Sequence, residues 1–272
     1  MNQPSDMLSV LVPVFNEETT IVQVLRKVLA LGPVVHEVIV VDDGSVDRTP
    51  DLVWTLTQCE NRIRFERLPK NKGKTAAVQR ALDLATGEVI IVQDADLEYD
   101  PVEILDVIAP ILAGQADVVY GSRFLVRRGA RVLYFYHYLA NRALTFLSNL
   151  LTNRNMTDIE TGYKAFRADV IKPLRLTSGG FGMEVEITAL VTKTGARTYE
   201  VPISYYGRTY EEGKKIGFRD GVMAGLYVVY YNLLAPNLPA GRRYIERVND
   251  SLAARPRFIG APLEAPAAAS SR

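Results

Sequence analysis

Apolar residues recur along this chain with two alternating periods. Leu8–Val14 is a β-rich run closing on Pro13 and Val14, and Ile21, Val24, Leu25, Val28 and Leu29 follow at helical three- and four-residue spacing. The alternation repeats: strand at Glu37–Val41, helix at Thr49–Leu56, strand at Arg62–Leu68, helix at Gly73–Ala85, strand at Glu88–Val92. Pro101 stands where proline opens a helix, and Asp117–Tyr120 makes a fifth strand. Strands and helices alternating at this length predict right-handed βαβ crossovers and a mostly parallel sheet with helices on both faces. Ligands of such sheets bind beyond the carboxyl ends of the strands. The polar groups there are Asn16 and Glu17, Asp42 and Asp43, Asn71 to Lys74, Asp94 to Glu98, and Arg123.

Beyond Arg123 the texture changes. Val132–Leu151 reads as an aromatic-rich helix, Met183–Thr192 as a helix, Arg197–Tyr205 as a strand and Phe218–Leu234 as a helix. The domain expectation is one catalytic unit over residues 1–235. A Pro-, Ala- and Arg-rich tail over 236–272 is expected to be largely disordered, with at most one short helix. The longest uncharged window, Gly221–Gly241, has an apolar part, Val222–Ala235, too short to span a bilayer. The polar N-terminus predicts no secretory signal.

With 272 residues, 48% apolar and 23% charged, the chain is neither disordered nor fibrous and can bury a full core. Its single cysteine, Cys59, excludes a disulfide framework, and only His36 and His137 could serve as histidine ligands or bases. The net charge of +1 hides an asymmetry: Val118–Thr157 contains no acid but carries Arg123, Arg127, Arg128, Arg131, Arg142 and Arg154. Such a block is either a solvated surface or the seat of an anionic partner.

Several segments carry candidate chemistry. Asp94 and Asp96, with Glu98, follow a buried strand, and three oxygen-bearing side chains suit Mg²⁺ or Mn²⁺. The alternative is a set of turn and capping acids before the Pro101 helix. Asp42-Asp43-Gly44-Ser45 either receives a nucleobase or ribose or forms a strand-to-helix turn. Lys72 and Gly73 either hold phosphate at a helix N-terminus or form a charged loop. Arg208, Lys214 and Lys215 lie in a loop bounded by glycines, which is either a cationic lid over phosphate or a solvated loop.

Taken in order, Pro13–Glu17, Val40–Ser45, Asp94–Glu98, Gly121-Ser122-Arg123, Asp158–Phe166 and Arg208–Lys215 resemble the family-2 inverting glycosyltransferases. The last two segments narrow the resemblance to the dolichyl-phosphate mannose and glucose synthase branch. It covers about residues 7–235 and implies a GT-A type fold, a single Rossmann-like domain followed by C-terminal interfacial helices. It implies a nucleotide-sugar donor, GDP-mannose or UDP-glucose, contacted by Pro13, Phe15, Glu17, Asp42, Asp43, Lys72, Asp94, Arg208 and Lys214. It implies metal ligation by Asp94, Asp96 and Glu98, although many relatives have Gln at the last position. Asp96, Arg123 and Arg208 become the catalytic set. Arg123 matches an arginine that meets the acceptor lipid phosphate. Where some relatives have a second arginine this chain has His137, so that either Arg131 or Arg142 compensates or the acceptor differs.

The resemblance therefore implies hexose transfer to a polyprenyl phosphate at the cytoplasmic face of an anionic membrane. The chain would reach its lipid peripherally or through a small membrane-protein partner. An ionised phosphate acceptor needs no general base; a saccharide or protein hydroxyl would, with Asp158 or Glu184 as candidates. A third possibility is a catalytically silent nucleotide-sugar-binding module. Nucleic-acid binding is not expected from a near-neutral chain without a recognition motif.

Overall fold

The structure, a computed structural model, describes residues 7–125, 134–207 and 218–255. Seven strands form one sheet: β1 (Leu8–Val14), β2 (Val35–Asp42), β3 (Ile63–Arg67), β4 (Val89–Val92), β5 (Val118–Ser122), β6 (Lys164–Arg167) and β7 (Thr198–Pro202). Their spatial order is β3-β2-β1-β4-β6-β5-β7. β6 alone runs antiparallel, to both β4 and β5, and the other pairings are parallel.

The central strands are continuous apolar runs because both faces are covered. Residues alternate between two cores with the period of the pleat. Val10, Val12, Val38, Val40 and Ile91 face one side. There α1 (Ile21–Leu29) and α4 (Ile104–Leu112) supply Ile21, Leu25, Ile104 and Ile108. Leu11, Ile39, Val41, Ile90 and Val92 face the other side, against α3 (Lys74–Leu84) and α7 (Met183–Val191). The remaining crossover helix, α2 (Thr49–Thr57), packs beside β3 and α1, and α6 (Ala168–Ile171) follows β6.

The first five strands and their helices form where the sequence pattern places them. β6 departs from that pattern. Its four residues, Lys164–Arg167, begin and end with a cation, too short and too charged to read as a strand. Yet Lys164 is fully engaged: its ammonium donates to the Ile159 carbonyl at 2.9 Å and to the Thr161 carbonyl.

A second departure is the C-terminal segment. The expected tail from residue 236 is instead structured through α9 (Pro239–Ala253), a fifteen-residue helix whose Tyr244 and Val248 are buried in the core. Composition suggested disorder because apolar residues are sparse there, but they recur at helical spacing and pack beside α6 and α7. Residues 256–272 lie outside the described residues.

α5 (Phe135–Thr152) packs on α8 (Phe218–Val229), which runs on into a π-helical turn, Tyr230–Leu234. α5 buries Thr145 and Ser148, while Phe135, Tyr136, Phe146 and Leu150 are exposed. Leu226, Leu233 and Leu234 are exposed on the neighbouring helix and turn. No helix among the described residues is long and apolar enough to cross a membrane.

Candidate active site

The polar residues singled out at the strand ends gather along one rim of the sheet. β1 delivers Phe15 and Glu17, β2 delivers Asp42 and Asp43, β4 delivers Asp94 and Asp96, and β5 delivers Arg123.

At β2 the turn possibility accounts for the hydrogen bonds. Asp42 is fully buried, pairs with Arg67 at 3.0 Å and accepts from the Ser45 backbone N–H and hydroxyl. Asp43 accepts from the backbone N–H groups of Lys72 and Gly73, both at 2.7 Å. That corrects the expectation that Lys72 and Gly73 offer their N–H groups to phosphate: a carboxylate already closes the N-terminus of α3. Gly73 has φ +90° there, a conformation glycine adopts without penalty. Beside this turn, Pro13 is half-buried in β1 and Phe15 is 41% exposed. The Glu17 N–H donates to the Thr49 hydroxyl at 2.9 Å, and its carboxylate accepts from Thr20.

At β4 the expected three-carboxylate cage is not assembled. Among the described residues no three of His, Cys, Asp or Glu converge as a ready metal centre. The local backbone explains this. Asp96 accepts from the Glu98 N–H at 3.0 Å, Leu97 turns through φ +62°, and Glu98 is directed to the Tyr205 hydroxyl at 2.7 Å. Asp94 is held between two neighbours. Its Oδ1 lies 2.7 Å from the Lys74 ammonium, and its Oδ2 lies against Gly162, where a Cβ would come within 2.6 Å. Two carboxylates still fit Mg²⁺ or Mn²⁺, which take one or two protein oxygens and complete their shell from water and substrate phosphates. Asp94 and Asp96 are the pair that could do so; Glu98 is committed to Tyr205.

Lys74 bridges Asp94 to Glu184, 3.2 Å away at the start of α7. Burial opposes its charge, but the two carboxylates hold it protonated well beyond the ordinary lysine range. Glu184 is correspondingly lowered: burial raises it, and Lys74 and Lys164 outweigh that. This bridge was not legible in the sequence, because Glu184 is 110 residues from Lys74.

At β5, Arg123 makes a bidentate pair with buried Asp158, Nε–Oδ2 at 2.7 Å and Nη2–Oδ1 at 2.8 Å, and its backbone N–H donates to the same carboxylate. Burial opposes both charges; mutual attraction prevails, lowering Asp158 and raising Arg123. The guanidinium lies over the Tyr205 ring at 5.1 Å. Tyr99 stacks on Tyr163 at 4.8 Å and contacts Tyr205 at 5.3 Å, so an aromatic cluster joins the Arg123 side to the Asp94 side. His137 faces Tyr134 on α5 at 5.8 Å, and Phe124 meets Tyr138 edge-on at 5.3 Å, placing the start of α5 beside Arg123. Arg142 is exposed further along α5. Arg131, Arg208 and Lys214 lie outside the described residues.

The segment 158–162 links the two sides. Asp158 binds Arg123, while Gly162 touches Asp94 and donates its N–H to the Tyr99 hydroxyl at 3.0 Å. Between them Glu160 has a buried Oε1 with no hydrogen-bond partner among the described residues. Burial and the nearby Glu184 push its carboxyl up to about 8.

Among known proteins, the dolichol-phosphate mannosyltransferase of Pyrococcus furiosus is 30% identical over 213 residues, 77% of this chain and 59% of that protein. The undecaprenyl-phosphate 4-deoxy-4-formamido-L-arabinose transferase of Edwardsiella ictaluri is 28% identical, covering 76% of this chain and 62% of its own. The chain thus spans roughly three fifths of the length of these two relatives. Among solved structures, glucosyl-3-phosphoglycerate synthase from Mycobacterium tuberculosis with Mn²⁺, UDP-glucose and phosphoglyceric acid superposes with a TM-score of 0.66. That match covers 86% of this chain and 81% of the synthase at 20% identity, a likeness of GT-A fold. Residues 9–175, more than half the chain, match the family described as Glycosyl transferase family 2, and with the rim of acids and the paired arginine in place the chain belongs to that family.

Proposed function

We propose that this chain transfers a hexose from a GDP- or UDP-sugar to a polyprenyl phosphate, with inversion at the sugar carbon. The observation that carries the proposal is the segment 158–162, which binds the Arg123 guanidinium at one end and touches the Asp94 carboxylate at the other. A donor diphosphate beside Asp94 and an acceptor phosphate beside Arg123 would lie on either side of a sugar between them. The names of the two relatives, one acting with dolichol phosphate and one with undecaprenyl phosphate, support the acceptor class.

The charges support it too. A phosphate monoester is already largely ionised near neutral pH and attacks without a general base. A hydroxyl acceptor would require one, and the two candidates are occupied: Asp158 by Arg123, Glu184 by Lys74. The sugar–oxygen bond breaks towards the nucleoside diphosphate. A divalent ion held by Asp94 and Asp96 supplies stabilisation of the charge that develops there. Lys74 and Gly162 fix the Asp94 carboxylate, and Tyr205 and Asp158 orient the Arg123 guanidinium. The proposal includes Arg208 and Lys214 gripping the donor phosphates, and Arg131, His137 or Arg142 assisting Arg123.

Lipid access is proposed through the paired helices. α5 lies in the acid-free stretch and exposes Phe146 at 70% and Leu150 at 69%, and α8 and its π turn add Leu226 and Leu234. Two adjacent helices with bare apolar side chains beside arginines suit the interface of an anionic membrane, here its cytoplasmic face. The test is direct. Purified protein is mixed with radiolabelled GDP-mannose or UDP-glucose, polyprenyl phosphate and Mn²⁺. Label appears in the lipid phase and disappears with EDTA; no lipid-linked sugar with any common nucleotide-hexose refutes the proposal.

A further inference from the structure

Among the described residues Lys74 is the one cation in contact with Asp94, and it comes from a different element. It sits at the first position of α3, bridges to Glu184 at the start of α7, and meets Asp94 just beyond β4. Three elements are thus pinned through one ammonium. Asp94 cannot retreat from it, because Gly162 occupies the other side of the carboxylate. We infer that Lys74, anchored by Glu184, is a positioning residue that fixes the Asp94 carboxylate for catalysis at the expense of its affinity for the divalent ion.

The inference deepens the proposed transferase reading and rests on it for the metal. An ammonium 2.7 Å from Asp94 Oδ1 competes with a metal for the same oxygen and repels it by charge. Its removal leaves Asp94 without its cation and Glu184 with Lys164 alone, and makes the rim a stronger cation trap. It also frees Asp94 to rotate, and catalysis depends on holding such groups to a fraction of an ångström. The two effects have opposite signs. Glu184 acts one step further back. Without its charge Lys74 bears on Asp94 alone, and metal affinity falls.

The experiment measures Mn²⁺ binding to the full chain without sugar donor, by the paramagnetic resonance of the unbound ion, and separately turnover at saturating Mn²⁺. Lys74→Met is expected to bind Mn²⁺ about tenfold more tightly and to turn over about 100-fold more slowly. Lys74→Arg recovers part of the turnover, and Glu184→Gln binds Mn²⁺ more weakly than the wild type. Weaker or unchanged Mn²⁺ binding in Lys74→Met, or turnover equal to the wild type, overturns the inference. If Lys74→Met does not fold, Glu184→Gln decides it: equal or tighter Mn²⁺ binding there overturns it. Binding needs no acceptor. Shifts in Mn²⁺ affinity of the expected signs in a protein that transfers nothing would leave the metal-affinity half of this inference standing and sink the transferase reading.

Discussion

Gly162→Ala places a methyl group where the candidate site has little room for one. Its Cβ would stand 2.6 Å from Asp94 Oδ2 and 3.0 Å from Tyr99 Cε2. The first separation is at least about 0.8 Å inside ordinary van der Waals contact. Asp94 cannot absorb that by moving away, since its other oxygen is 2.7 Å from Lys74. Tyr99 is confined as well, stacked on Tyr163 at 4.8 Å. The carboxylate therefore shifts by an appreciable fraction of an ångström together with Lys74, or the 158–162 segment lifts and disturbs Asp158 and Arg123. Overpacking of this kind costs about 1–3 kcal/mol of stability. A displacement near 1 Å at a group that positions the reaction costs about 100-fold in rate. The assay is kcat/KM for lipid-linked sugar formation across a Mn²⁺ titration, with the melting temperature measured in parallel. Gly179→Ala is the control, since a Cβ there meets nothing within 4 Å and its backbone, at φ −107°, accepts one. A folded Gly162→Ala protein with wild-type kcat/KM and Mn²⁺ dependence would refute the placement of Asp94 in the donor site.

Arg123→Lys keeps the charge but loses the bidentate grip on Asp158; transfer to polyprenyl phosphate should fall about 100-fold, while the stabilisation conferred by the free nucleotide stays unchanged in a thermal melt. Asp158 is lowered in the folded protein by Arg123 acting against its burial, so its contribution to stability is complete above the ordinary aspartate value of 3.8 and is lost as pH falls through the folded value. Urea denaturation at pH 5 and pH 3 should show a steeper loss in the wild type than in Asp158→Asn; parallel losses would discount the pair. Glu160 has the opposite sign: burial and Glu184 raise it above 4.5, with Asp158 adding and Lys164 and Arg123 opposing, so the unfolded chain ionises first and stability drains away as pH rises. Glu160→Gln should therefore melt higher than the wild type at pH 8, with the gain shrinking towards pH 4.5; a lower melting point at pH 8 contradicts this. Phe146→Ser combined with Leu150→Ser should leave urea stability within about 0.5 kcal/mol of the wild type yet reduce co-sedimentation with anionic vesicles; undiminished sedimentation would remove α5 from the membrane face.

What was legible in the sequence was governed by local pattern. The parallel strands and their helices announced themselves because each buries an unbroken apolar run or an apolar stripe. The acids after β2 and β4 could be placed at the sheet rim for the same reason. Their duties could not. Asp43 spends both oxygens on backbone N–H groups near residue 72, and Glu98 turns to Tyr205, because the loops between fixed that geometry. Glu184 was legible only as a candidate base, Lys74 only as one polar group at a strand end and Gly162 only as part of a motif; the contacts through which they act on Asp94 and Lys74 are ones that only the fold creates. β6 escaped notice because both its ends are cations, one of them satisfied by carbonyls from the loop before it. α9 escaped because composition weighs its arginines without seeing that Tyr244 and Val248 share one face.

The same contacts set a condition on the chemistry. The cations shown beside Asp94 and at the end of β5, Lys74 and Arg123, already have carboxylate partners. Such pairs offer directed N–H groups but little net positive charge, and a diphosphate donor with a phosphate acceptor brings several negative charges into one cleft. In the proposed reaction a divalent ion at Asp94 and Asp96 would offset the donor's share. The balance would come from the acid-free arginine stretch before α5 on the acceptor side and from the Arg208–Lys215 cluster on the donor side, the two segments whose composition first pointed to phosphate. On that proposal the paired residues at the rim would provide orientation and the neighbouring basic segments charge, and neither set would stand in for the other.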